Sequence, residues 1–155
     1  MDGKPYVSLL CAGLFLIGTA QKGEAALGEP ADSVAKDRIA LSAQKRASTA
    51  RNGFTVQEFE LSGTFVRQYI SPSGIVFAIA WNGLTYPDLT PLLASYADEY
   101  KAALRETPRK PGISRRHAVR TDRVVVEKWG HMRNLQGRAY APALIPPGVN
   151  LEEIK

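Results

Sequence analysis

The clearest pattern of hydrophobic and polar positions lies in residues 54–81 and predicts three β-strands, at 54–61, 64–71 and 75–81. Ser62-Gly63 separates the first two and Pro72-Ser73-Gly74 the second two, and these residue types favour tight turns. The third segment is apolar on both faces, which only a buried central strand tolerates. The pattern therefore predicts an antiparallel meander whose third strand is buried.

The region that follows predicts one long helix that packs on this sheet. Pro87-Asp88 opens the helix, and Pro108 ends it. Its apolar residues recur at helical spacing: Leu89, Leu92, Leu93, Tyr96, Ala97, Tyr100 and Leu104. The small side chains on one face of the third strand would let this helix approach the sheet closely.

The segments around this core give weaker signals. Residues 31–41 predict a short N-terminal helix, because Asp32 suits its first turn and can pair with Lys36. Residues 44–53 are polar and basic and predict a loop. Residues 119–129 predict a further strand, 133–145 contain a return strand, and the residues after Pro146-Pro147-Gly148 form an acidic-apolar tail.

Together these elements predict an α+β fold. Its antiparallel β-sheet, a meander of three strands plus a C-terminal hairpin, packs against one long helix and a short N-terminal helix. The 155 residues suit one domain, and 45% hydrophobic with 23% charged residues is ordinary for a globular fold. The order of the strands does not follow from the pattern.

The first 25 residues have the pattern of a secretory signal peptide. Lys4 precedes an apolar run at 6–17, which is shorter than the roughly 20 residues of a membrane-spanning helix. Small residues allow cleavage after Ala20 or Ala25, and the later site is favoured because the earlier one leaves a charged stub. A buried N-terminal helix and an uncleaved anchor are the alternatives. We expect 1–25 to be a cleavable signal and 26–155 a single domain with a short C-terminal tail. The protein would be exported to the periplasm or the extracellular medium, with no membrane span after cleavage.

The cysteine content limits the chemistry of the exported chain. Cys11 is the only cysteine, and it lies inside the apolar run after Leu10 rather than after a small residue, which argues against lipidation. It is lost with the signal, so the mature chain has no thiol nucleophile and no disulfide.

Few residues suggest catalysis or metal binding. Ser73 is explained by its turn, and Glu58 and Glu60 share a strand face without a histidine at ligand spacing. His117 follows two arginines, and His131 ends or bends a strand. We expect no metal, no cofactor and no catalytic residue in a non-enzymatic binding or accessory domain. The alternative enzyme, a small hydrolase or isomerase using His131, would have His131 and Tyr140 in a candidate pocket.

The charge distribution suggests a partner. The chain has a net charge of +5, and residues 105–138 alone carry +7. Arginine dominates this segment and suits bidentate contacts to phosphate or carboxylate. The candidate ligand-binding residues are Arg115, Arg116, Arg120, Arg123, Arg133 and Arg138. They predict an envelope macromolecule as partner, either an anionic polymer or lipid head groups, while the competing interpretation is a solvated surface that only gives solubility. Only Trp129 is available there for base stacking, which together with export argues against nucleic acid.

Several short motifs resemble an exported bacterial family. They are Ala25-Ala26-Leu27-Gly28, Ser62-Gly63-Thr64, Ser71-Pro72-Ser73-Gly74, Val76-Phe77-Ala78-Ile79-Ala80-Trp81, Gly130-His131-Met132-Arg133 and Gly137-Arg138-Ala139-Tyr140. Over residues 26–150 the chain resembles the domain-of-unknown-function family 2844. The resemblance implies export and a single bacterial domain, and it brings no activity, ligand or catalytic residue.

Overall fold

The computed structural model of the chain describes residues 26–31, 44–61, 63–107 and 116–155. Within these ranges seven strands form: β1 (Gln44–Arg51), β2 (Phe54–Leu61), β3 (Thr64–Ile70), β4 (Val76–Gly83), β5 (His117–Arg120), β6 (Val125–His131) and β7 (Asn134–Tyr140). The helices are α1 (Leu89–Leu93) and α2 (Ala97–Glu106), joined by a 3-10 turn at Ala94–Tyr96. Two further 3-10 turns follow β7, at Pro142–Leu144 and Leu151–Glu153.

The strands form one sheet in the order β1-β2-β3-β4-β7-β6-β5, and every neighbouring pair is antiparallel. A meander therefore runs from the β1 edge to β4 at the centre, and the chain then crosses to the other half of the sheet through α1 and α2. β4 has the most apolar sequence and six buried residues from Val76 to Trp81, which agrees with its central place.

The predicted sheet, a three-strand meander plus a C-terminal hairpin, is wrong. Residues 44–53 were expected to be a loop, but most of them form β1, and β5 is a strand separate from β6. β1 has no apolar alternation because it is an edge strand whose residues from Ala47 to Arg51 are all exposed. Of the predicted N-terminal helix, residues 32–41 lie outside the described residues, and the described residues 26–31 contain no helix.

The two helices cover one face of the sheet. Leu89, Leu92, Leu93, Tyr96 and Tyr100 are buried against side chains of β3, β4 and β6 on that face. The helical segment bends at Ala94, whose φ is 40°. Leu27 is also buried in this core, and its backbone N–H donates to the Leu92 carbonyl oxygen at 3.0 Å. We call this surface of the sheet the helix face.

The opposite face is covered in part by the segment 141–155. Leu144, Ile145, Val149, Leu151 and Ile154 of this segment pack around the aromatic rings of Phe54, Tyr69 and Phe77. The Phe54 and Phe77 rings meet edge to face at 6.0 Å, a favourable arrangement for aromatic pairs. The residues that the sequence predicts as a tail therefore complete a second core. We call this surface the open face because the described residues cover it only in part.

We predict that Ile154→Ala destabilises the fold by about 2–4 kcal/mol, since it opens a cavity at a side chain that is 1% exposed. Leu84→Ala is the matched control because Leu84 is 61% exposed, and its effect should stay within about 0.5 kcal/mol. The free energy of unfolding, measured by urea denaturation of both variants, tests this. Equal stabilities of the two variants would contradict the second core.

Candidate functional site

Three arginines converge on one carboxylate on the open face. The β-sheet register places Glu127 of β6 opposite Arg138 of β7 and opposite Ala118 of β5. Arg138 Nε donates to Glu127 Oε2 at 2.7 Å. Arg116 Nη2 donates to the same oxygen at 3.3 Å, and Arg120 Nη2 donates to Oε1 at 3.4 Å. One carboxylate thus accepts from three guanidinium groups.

The members of this cluster differ in exposure. The side chains of Glu127 and Arg138 are 5% and 11% exposed, whereas those of Arg116 and Arg120 are 60% and 70% exposed. Burial by itself raises the pKa of Glu127, but the hydrogen bond from Arg138 and the charges of Arg138 and Arg116 outweigh it. The pKa of Glu127 is therefore below its ordinary value of 4.5, and the carboxylate is ionised at neutral pH.

Arg138 also attaches the segment 141–155 to the sheet. Its Nη1 donates to the backbone oxygen of Leu151 at 2.6 Å and to that of Ile154 at 3.3 Å. The end of the segment is held nearby, because the Lys155 backbone oxygen accepts from Arg67 Nη1 at 2.8 Å and from the Tyr69 hydroxyl at 2.9 Å. These contacts fix where the covered part of the open face ends.

A row of amides and one indole continues the open face beyond the segment. Trp129 Nε1 donates to Gln136 Oε1 at 3.2 Å, and Gln136 Nε2 donates to Asn134 Oδ1 at 2.8 Å. Asn82 Nδ2 donates to the same Asn134 oxygen at 2.9 Å. The Arg116 guanidinium carbon lies 5.5 Å from the centre of the Trp129 ring. We call this group the arginine–amide surface: Arg116, Arg120, Trp129, Gln136, Asn134 and Asn82.

The structure brings together three of the six arginines that the sequence suggests as ligand-binding residues. Arg116, Arg120 and Arg138 meet at Glu127, but Arg138 is largely buried. Arg123 points the other way, pairing with Glu99 of α2 at 3.6 Å and lying 4.8 Å from the Tyr96 ring. Arg133 is exposed in the β6–β7 turn with a φ of 62°, and Arg115 lies outside the described residues. A ligand-binding role for any of them stays a prediction.

His131 and Tyr140 do not share a pocket. Asn134 is the strand partner of His131, whereas Tyr140 is opposite Val125, six residues earlier in β6. The two side chains are therefore separated by about 20 Å along the strands. His131 is exposed, and Tyr140 is buried in the second core. His117 lies elsewhere, on the helix face opposite Lys128.

A cleft of about 640 Å³ lies at the other side of the open face, where β1, β2 and β3 meet the end of the segment 141–155. Three basic residues, Arg51, Arg67 and Lys155, line it together with the three acidic residues Glu58, Glu152 and Glu153. Because these charges balance, the cleft has no preference for an anion or a cation, and the arginine–amide surface is the better candidate site.

The amides were missed in the sequence because an isolated Asn or Gln has no motif. Asn134, Gln136 and Arg138 are alternate residues of β7, so they share a face once 134–140 is known to be a strand. In the described ranges, no group of three or more His, Cys, Asp or Glu residues is placed to hold a metal ion. The described helices include none that is long and apolar enough to cross a membrane.

Comparison with known proteins identifies the family. The chain matches the family model described as "Protein of unknown function (DUF2844)" over residues 23–154 and belongs to that family, which confirms the resemblance seen in its motifs. No curated protein and no solved structure matches the chain.

We predict that Glu127→Gln lowers the free energy of unfolding at pH 7 by about 3 kcal/mol, because it leaves the buried Arg138 without its counter-ion. Folding lowers the pKa of Glu127 below its ordinary value of 4.5. The stability that its ionised carboxylate adds to the fold is therefore complete above pH 4.5. This stability is lost as the pH falls through the pKa of Glu127 in the folded protein. Urea denaturation between pH 3 and 7 should therefore show a smaller pH dependence for the variant than for the natural chain.

Glu58→Gln is the matched control, since Glu58 accepts from Arg67 Nε at 2.8 Å in the same strand-to-strand geometry but in a more exposed place. Glu58→Gln should lower the free energy of unfolding by less than about 1 kcal/mol. If the two glutamine variants are equally stable, the buried cluster has no special role.

Proposed function

We propose that the chain is an exported binding domain that holds an acidic polysaccharide of the cell envelope on its arginine–amide surface. The observation that supports this proposal is the placement of two exposed arginines, which contact one buried carboxylate, beside an indole and a row of amides. They lie on a part of the sheet that the described segment 141–155 does not cover.

The arginines supply the attraction for acidic groups. Glu127 carries one negative charge against three guanidinium groups, so these four side chains together are cationic. Their contacts to Glu127 also restrict their side chains before a ligand arrives, which reduces the entropy lost on binding. A guanidinium group matches the two oxygens of a carboxylate, such as that of a uronic acid.

The remaining side chains suit the neutral parts of a sugar. Asn82, Asn134 and Gln136 each have both a donor and an acceptor, which is what hydroxyl groups require. Trp129 adds an apolar ring whose polar edge is already engaged by Gln136. Because these residues come from three adjacent strands, they form an extended surface that suits a polymer better than a single small molecule.

The same surface fits the other anionic partners less well. Lipid head groups are recognised by basic residues beside apolar side chains that enter the bilayer, whereas here the basic residues adjoin amides. Single-stranded nucleic acid requires several stacking rings, and Trp129 is the one aromatic side chain in this defined surface. The predicted signal peptide supports a location where acidic polysaccharides occur.

We predict that the full chain binds polygalacturonate, and that Arg116→Gln with Arg120→Gln weakens this binding about tenfold or more, as expected for the loss of charge-assisted contacts. Trp129→Ala should also weaken it. Added salt should reduce the affinity because the contacts are ionic and exposed. Isothermal titration calorimetry with polygalacturonate provides the measurement.

Arg123→Gln is the control variant, since Arg123 belongs to the same basic segment but faces α2, and its affinity should be unchanged. Dextran is the uncharged control polymer and should not bind. The proposal is wrong if the double variant binds polygalacturonate as well as the natural chain, or if only vesicles containing phosphatidylglycerol are bound.

We also predict that cells expressing the full chain contain a processed species outside the cytoplasm. Cleavage after Ala25 leaves Ala26 as the first residue, and cleavage after Ala20 leaves Gln21. Intact-mass spectrometry of the periplasm and the medium distinguishes the two sites. Only unprocessed protein in the cytoplasm would refute export without affecting the binding test.

A further inference from the structure

We infer a second ligand site on the helix face, which binds a small carboxylic acid with a short apolar chain and uses Lys128 as its cation. The site is a cleft of about 250 Å³ lined by α1, α2 and Lys128 of β6. It is independent of the arginine–amide surface, because Lys128 and Glu127 are consecutive residues of one strand and therefore face opposite sides of the sheet.

Among the described residues, Lys128 has aromatic neighbours and no ion-pair partner. Lys128 Nζ lies 5.4 Å from the centre of the Tyr86 ring and 5.5 Å from that of the Tyr100 ring, within cation–π distance of both. No carboxylate of the described residues forms an ion pair with it. Aromatic faces orient an ammonium group but do not neutralise it, so a bound anion would complete the site.

The walls of the cleft select a ligand with an apolar part. Leu89, Leu93, Ala97 and Leu104 contribute apolar side chains to the lining. Asp88 also lines the cleft, but its Oδ1 accepts from the Thr90 backbone N–H at 2.9 Å and caps α1. A volume of about 250 Å³ is slightly below the roughly 300–1,000 Å³ of pockets for drug-sized ligands, which indicates a small ligand.

Three buried polar atoms without partners belong to residues that lie on the helix face or pack against it. Within the part of the chain that the structure describes, Trp81 Nε1, Tyr100 OH and His117 Nε2 have no hydrogen-bond partner. The register aligns Trp81, Gly137, Lys128 and His117 across four strands on the helix face.

Gly137 lets the indole of Trp81 lie over the sheet in this row, because a Cβ at position 137 would be 2.3 Å from Trp81 Cζ2. Tyr100 approaches from α2. Of the three residues, Tyr100 lines the cleft. Unmade hydrogen bonds of buried groups are costly, so the polar end of a ligand is best placed beside Tyr100 and Lys128.

The charges that line the cleft decide the class of anion. Lys128, Lys101 and Asp88 line it, so their net charge is +1. A carboxylate carries one charge and matches it, whereas a phosphate group would bring up to two charges to a site with apolar walls. The ligand is therefore a monocarboxylate whose chain packs on Leu93 and Leu104, and hexanoate is a suitable probe.

The test is a titration of the full chain with hexanoate, followed by methyl NMR spectroscopy. We expect the methyl signals of Leu89, Leu93 and Leu104 to shift, and Lys128→Met to weaken the binding about tenfold or more. Hexanamide has the same shape without the charge and should bind about tenfold more weakly than hexanoate. Arg105→Gln is the control variant, because it removes a positive charge from α2 at a residue that does not line the cleft.

The inference is refuted if hexanamide binds as well as hexanoate, if Lys128→Met keeps the natural affinity, or if the shifts fall on residues outside the cleft. The localisation of the shifts and the comparison of the two ligands need only the natural chain, so they decide the question even if Lys128→Met does not fold. Competition with polygalacturonate should be absent, since the two sites lie on opposite faces.

Discussion

The ion pair between Arg138 and Glu127 is the contact on which the open face depends. Both side chains are largely buried, so either one without the other would be a buried charge without a partner. The same guanidinium donates to the backbone of Leu151 and Ile154 and fixes the segment 141–155. The same carboxylate accepts from Arg116 and Arg120. One pair thus connects the middle of the sheet, the segment that covers part of it and the cations that face solvent.

This pair stands where the open face changes from apolar to polar. In β4 the side chains on this face are Phe77, Ala78 and Ala80, and the next one is Asn82. In β7 the buried Tyr140 is followed on the same face by Arg138, and then by Gln136 and Asn134. The covering segment lies over the apolar end of these strands. The polar end has no cover from the described residues of this segment, which is why we place the proposed ligand there.

The sequence predicts elements well where burial imposes a pattern and poorly where it does not. β2, β3 and β4 have apolar runs with turn residues between them, whereas β1 is a polar edge strand that resembles a loop. Ile154 looks like part of a tail because its core partners, among them Phe77, are distant in sequence. Arg138 and Arg123 look alike in the sequence. Only the strand register shows that Arg138 is a buried structural residue and Arg123 a surface residue.

The register also changes the meaning of the basic segment. Its net charge of +7 suggests one basic patch, but a strand directs alternate residues to opposite faces. Arg116, Arg120 and Arg138 therefore meet Glu127 on the open face, while Lys128 turns to the helix face. Glu99 pairs with Arg123, whereas Lys128, like Lys101 of α2, forms no ion pair with a carboxylate of the described residues. The two cationic places have different neighbours, amides in one and aromatic rings in the other. This difference in neighbours is why we propose different anions for them, a hydroxyl-rich polymer on the open face and a small apolar acid on the helix face.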